Sequence, residues 1–236
     1  MKVLTEYTSG GDAATSYNIE LIFVGDWSLA LQQAVIDAAD YLSSVIIGDI
    51  VDIVGSGGFL IDDLRITATI GPIDGTGGIL GQAGPTGFRD DGTFLPVEAQ
   101  MTFDVADAEA MESDGRWHDV VLHEMIHALG FGIIWDALGL TTGSVAEKNL
   151  RFVGKNAAAA YRKKFETVAD ADPGSAVGVP VETGGGPGTA GAHWDEPLFG
   201  AELMTGYISG RPYMSDLTTA ALEDMGYEIG KPLTDG

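Results

Sequence analysis

His123-Glu124-Met125-Ile126-His127 sets two imidazoles four residues apart with a carboxylate beside the first. On a helix, residues i and i+4 share a face, so both rings can point at one ion. Glu124 then sits where it can reach a metal-held water without being a ligand, which is the logic of H-E-x-x-H in zinc hydrolases. A catalytic Zn2+ takes three protein ligands and keeps one position open, so a third ligand must come from elsewhere. A Glu from a downstream helix is one solution, and Glu147 lies at a suitable distance. A third His is the other. His118 precedes His123 by five residues, which turns it about 140° around the helix, so it reads as structural or exposed. His193 needs a chain reversal, and Gly130 supplies one, because a C-terminal glycine in the left-handed region lets the chain leave sharply. This favours His193, with Glu147 as the alternative.

The elements that must position these groups are legible from periodicity. Asn18 to Val24 is a short apolar run that reads as a strand. From Trp27 to Ile47 the period changes: Leu31, Val35, Ala38, Ala39, Leu42 and Ile46 fall at helical spacing, and Gly48 ends the helix. Arg65 to Ile70 alternates, with Ile66, Ala68 and Ile70 on one face. Gly71 to Gly92 reads as a Gly/Pro/Asp-rich loop with an apolar island at Ile79 and Leu80. Ala99 to Val105 alternates again, placing Met101, Phe103 and Val105 inward. The motif helix is expected to start at a cap near Ser113 and Asp114 and to run to Gly130. It is apolar almost all round, as befits a helix in the middle of a domain. Beyond it, Asn156 to Val168 is a helical patch, Asp170 to Gly191 a loop, and Ser215 to Met225 a capped helix ended by Gly226.

The chain has 236 residues, enough for one substantial domain. With 12 Lys+Arg against 35 Asp+Glu, the formal net charge is −23. Such a surface repels nucleic acid and anionic lipid, so neither is expected as a partner. The acids are spread thinly and read as a solvated surface. Asp62-Asp63 and Asp90-Asp91, near Gly-rich loops, offer oxygen ligands for Ca2+ as a secondary expectation. Cys is absent, which excludes disulfides, thiolate metal sites and a cysteine nucleophile. No stretch is apolar enough for membrane insertion. Residues 1–11 lack the basic start and apolar run of a signal peptide, which leaves an intracellular protein or export by a route with no cleaved N-terminal signal; the expectation is an extracellular protein, with a cytoplasmic one as the alternative.

HEMIHALGFG, then His193 within HWDEPLFGAELMTG, then LTTAALEDMGYEIG, together resemble the leishmanolysin-like branch of the metzincin zinc peptidases. That branch carries a long insertion between the second and third His, here Ala128 to Ala192. The resemblance extends in element order over about Ile19 to Gly230. It implies His123, His127 and His193 as zinc ligands, Glu124 as general base and Met204 in a tight Met-turn beneath the metal. It also implies an α+β fold in two lobes, about 12–131 and 132–236. The first would hold a twisted mixed sheet and two long helices; the second would be mostly irregular, with the Met-turn and terminal helix. Some metzincins place a Tyr just after the Met-turn, so Tyr207 is a candidate oxyanion donor, or else packs under the site. The segment Gly78 to Gly84, with Ile79, Leu80, Gly81 and Gln82 at its centre, is the candidate edge strand for pairing with extended substrate, or a plain loop. The activity so implied is zinc-dependent endopeptidase action on protein or peptide substrates. The rivals are a non-catalytic zinc-binding adhesion or recognition module of the same fold and a hydrolase using Glu147 as third ligand. Eukaryotic leishmanolysins are Cys-rich and carry a larger C-terminal domain; this chain has no Cys.

Overall fold

Period-two patterning builds the sheet on which the first half of the chain rests. In the computed structural model, which describes residues 2–208 and 210–230, strands β1 (Glu6–Thr8) and β2 (Ile19–Gly25) form an antiparallel pair. Helix α1 (Leu29–Val45), the small hairpin of β3 (Ile53–Val54) and β4 (Leu60–Ile61), and β5 (Leu64–Gly71) follow. Then come β6 (Gly81–Phe88), β7 (Pro96–Asp104), α2 (Val105–Asp114) and α3 (Trp117–Ala128). The sheet order is β1-β2-β5-β7-β6, parallel between β2, β5 and β7 and antiparallel at both margins. Along β5, Leu64, Ile66, Ala68 and Ile70 are buried and alternate with half-buried residues, the face expected from sequence.

These elements belong to the first of two compact units, Met1–Gly130 and Phe131–Gly236. Ser28 caps α1, its hydroxyl accepting from the Leu31 N–H at 3.2 Å. The buried stripe of α1 packs on α3, and the Trp117 indole on α3 donates to the Leu31 carbonyl at 3.0 Å. Edge-to-face ring contacts run Phe23–Trp27–Phe103–Trp117, tying both margins of the helix layer to the sheet.

Three expectations for this unit need correction. The presumed loop from Gly71 to Gly92 contains the eight-residue strand β6, because pairing with β7 overrides the poor strand propensity of Gly and Pro. The motif helix does not start at Ser113 and Asp114. Those residues end α2, which Asp104 caps, and Gly115 in the left-handed region (φ 79) breaks the chain before α3. Val105 opens α2 instead of facing inward from the strand.

Nor are the acids all solvated. Asp104 is fully buried at the α2 N-terminus, where its carboxylate accepts N–H groups from Ile73, Asp74, Gly75 and Ala106. Those backbone bonds hold its carboxyl low, at about 2. Asp107 is buried beside it and accepts from the Gly77 N–H at 2.7 Å. Together they pin the loop that leads into β6. Asp63 is likewise buried, accepting from the N–H groups of Asn18 and Ile50.

In the second unit, β8 (Thr141–Thr142), β9 (Arg151–Phe152) and β10 (Val179–Pro180) form a minimal antiparallel sheet. The expected helical patch is two helices, α4 (Lys155–Lys164) and α5 (Glu166–Ala171), broken at Phe165. The short α6 (Glu196–Phe199) and then α7 (Asp216–Met225) complete the described elements. Small residues Ala157 and Ala158 let α4 pack closely on α7, whose Asp224 accepts the N–H groups of Asn156 and Ala157 at the α4 N-terminus. Arg151 forks onto Asp172 with two 2.7 Å bonds. A ring cluster of Phe131, Trp135, Phe152, Trp194 and Phe199 forms the core. Gly226 ends α7 in the left-handed region as expected, whereas the hydroxyl of Ser215 at the N-cap position turns to Glu202. Among the described residues no helix is long and apolar enough to cross a membrane. Residues 231–236, assigned by sequence to the second lobe, lie outside those described.

Candidate metal centre

Helix α3 puts His123 and His127 on one buried face, one turn apart. Their Nε2 atoms converge to 3.1 Å with the rings at 76°. Two nitrogens bound tetrahedrally to one zinc at ~2.0–2.1 Å would stand about 3.3 Å apart, so the pair has the spacing of two ligands on one ion. The helix ends one residue later, and Gly130 takes φ 93, where the chain leaves it.

Glu124 lies against the sheet. Strand β6 runs beside α3, and a Cβ built on Gly81 would stand 3.2 Å from the Glu124 Cγ and 2.9 Å from the Phe103 ring. Only a residue without a side chain lets the strand come this close to the acid. Burial pushes the Glu124 carboxyl up to about 8.

β6 is an edge strand of the sheet. The Asp104 N–H bonds the Leu80 carbonyl, and the register pairs Gly81 with Phe103. The backbone groups of Gln82 and Gly84 therefore face β7, while those of Gly81, Ala83 and Pro85 face outward. Pro85 has no N–H, so its ring costs the ladder nothing there. The register shifts immediately after it. Of the four residues assigned to the edge, Gly81 and Gln82 lie in the strand, and Ile79 and Leu80 precede it.

In the second unit His193 is buried, and its Nδ1 lies 3.0 Å from the Thr189 carbonyl. A carbonyl only accepts, so Nδ1 carries the proton and Nε2 presents its lone pair, the tautomer a metal ligand needs. Burial also lowers its pKa, which keeps the ring neutral. The next residue, Trp194, donates its N–H to the Met204 carbonyl at 2.9 Å. Met204 is fully buried and sits in the turn closed by the Thr205 N–H on the Glu202 carbonyl. Tyr207, three residues on, is 61% exposed, which corrects the alternative that it packs under a site. Glu147 is exposed in a turn, not a helix, and accepts from the Asn149 amide. His118 is exposed.

Sequence reasoning missed two features. One is the approach of Gly81 to Glu124. The other is Glu202, buried next to Met204 and recognisable in sequence only as an acid among apolar neighbours. The Ca2+ expectation gains no support. Asp49, Asp62 and Asp63 do bring carboxylate oxygens together. However, both Asp63 oxygens are taken by backbone N–H groups, and the buried Arg89 guanidinium binds the Val51, Asp62 and Asp63 carbonyls that a cation would need. Asp91 is engaged by Thr93.

The sequence profile of a peptidase family, leishmanolysin, matches residues 54–230. Over 64 residues the chain is 39% identical to a leishmanolysin-like peptidase of Drosophila melanogaster, a match covering 25% of this chain and 9% of that relative. The chain thus aligns with less than a tenth of the relative's length.

Proposed function

The chain belongs to the leishmanolysin family of metallopeptidases, and from that premise we propose a zinc-dependent endopeptidase with His123, His127 and His193 as ligands and Glu124 as general base. The observation that carries the reading is the 3.1 Å convergence of the two α3 imidazoles beside the half-buried Glu124. Three buried imidazoles, each offering one ring nitrogen, are a donor set suited to Zn2+ and leave a fourth position for water. The finer fold assignment, a metzincin-type domain with lobes about 12–131 and 132–236 and Met204 in its Met-turn, belongs to the same proposal.

What zinc supplies when bound is Lewis acidity, toward both a water and the substrate carbonyl. Glu124 takes the proton of the attacking water and delivers it to the leaving amine. The exposed phenol of Tyr207 donates to the developing oxyanion. An extended peptide lies along β6 and pairs with the outward groups of Gly81 and Ala83, and Pro85 ends that run. The −23 charge favours basic or neutral peptides over acidic ones through long-range steering.

The test is Glu124→Gln. Casein hydrolysis should fall by about two orders of magnitude or more while zinc content stays at the wild-type level. Retained turnover would refute the assignment of the base.

A further inference from the structure

We propose that Glu202 is a positioning residue, whose carboxylate locks the segment carrying His193 to the turn carrying Met204 and so fixes the third imidazole for zinc. This rests on the reading of His193 as a ligand.

Glu202 is 1% exposed and, among the described residues, faces no cation within ion-pair distance. An isolated buried carboxylate is strongly disfavoured unless its oxygens are well bonded. Here they are. One oxygen accepts the Met204 N–H at 2.6 Å. The other accepts the Ser215 N–H at 3.2 Å, the Ser215 hydroxyl at 2.7 Å and the Thr218 hydroxyl at 2.6 Å. Burial raises its pKa, and the Thr218 and Ser215 bonds oppose that shift.

The bonds close a ring. Thr218 donates to Glu202 and accepts the indole N–H of Trp194 at 3.0 Å. Trp194 donates its backbone N–H to the Met204 carbonyl, and the Met204 N–H returns to Glu202. An indole only donates and an ionised carboxylate only accepts, so the Thr218 hydroxyl has a single orientation that satisfies both. Trp194 is thereby held at its backbone and at its side chain, and His193 is the residue before it. Networks of this kind stiffen only when every member is satisfied. Glutamine in place of Glu202 cannot accept on both oxygens, and it strands a donor in the ring.

The test is a double-mutant cycle on zinc affinity, measured by chelator competition on the full chain. Glu202→Gln should weaken zinc about 10- to 100-fold, the usual effect of losing a partner that orients a ligand. In a His193→Ala background the same substitution should have no further effect. Thr218→Val, which keeps the shape and cuts the link to Trp194, should weaken zinc several-fold in the wild type alone, and it decides the matter if Glu202→Gln fails to fold. Equal weakening in both backgrounds, or none in the wild type, overturns the proposal. If His193→Ala itself leaves zinc affinity unchanged, the ligand assignment fails and the positioning role falls with it.

Discussion

Gly81→Ala tests whether β6 bears on Glu124, the proposed general base. The added Cβ would stand 2.9 and 3.1 Å from two Phe103 ring carbons and 3.2 Å from the Glu124 Cγ, where carbon atoms prefer about 3.5–4.0 Å. Phe103 cannot yield: it is fully buried, with Trp117 packed edge-on at 4.8 Å. The shortfall of roughly half an ångström must therefore be taken up by β6 or by Glu124. Overpacking of this kind costs about 1–3 kcal/mol, and at about 2–4 °C per kcal/mol the melting temperature should drop by several degrees. A misplacement of about 1 Å costs catalysis about 100-fold, so half of that predicts a kcat about 10-fold lower. Zinc content should be unchanged. The control is Gly71→Ala, whose Cβ would meet nothing within 4 Å and which should match the wild type. The assay is steady-state hydrolysis of a fluorogenic peptide alongside thermal unfolding. Wild-type kcat in Gly81→Ala would refute the idea that the strand constrains the base.

Other outcomes follow from the same geometry. Burial, with Asp52 and Asp49 nearby, pushes Asp62 up to about 6, and burial does the same to Asp63. An acid with a raised folded-state pKa favours folding while protonated, so that contribution is lost as pH rises from about 4 through 6. Denaturant titrations should show Asp62→Asn flattening this slope and being more stable than wild type at pH 7; an unchanged slope would count against the shift. Tyr207→Phe should lower kcat by about tenfold with little change in KM if the phenol stabilises the oxyanion, and an unchanged kcat would remove it from the mechanism. In a series of lengthened peptides, KM should stop falling once the chain passes the residue opposite Ala83. A continued fall past Pro85 would show that the edge does not end there.

Periodicity made α1, β5 and the motif face of α3 legible, because burial of one stripe or one face is written directly into residue spacing. His123, His127 and Glu124 were visible for the same reason: a helix converts sequence offset into geometry. Strand β6 was not, since GQAGPTGF has little intrinsic strand preference and exists through its pairing with β7. The approach of Gly81 to Glu124 was equally hidden, being a contact between a strand and a helix about 40 residues apart. Asp104, Asp107 and Glu202 show a further limit. Sequence counts acids but does not say which will be buried to accept backbone N–H groups. In a chain without Cys, those carboxylates do much of the work of fixing long loops. The large negative charge thus has an internal, structural share as well as a solvated one.

The central claim, that peptide hydrolysis depends on one metal held by imidazoles, is tested most directly by stripping and restoring it. After dialysis against a chelator, casein hydrolysis should vanish while the chain stays folded, and one equivalent of Zn2+ should restore it. Hydrolysis that persists in the metal-free protein, or a wild-type protein that binds no zinc, would contradict the account.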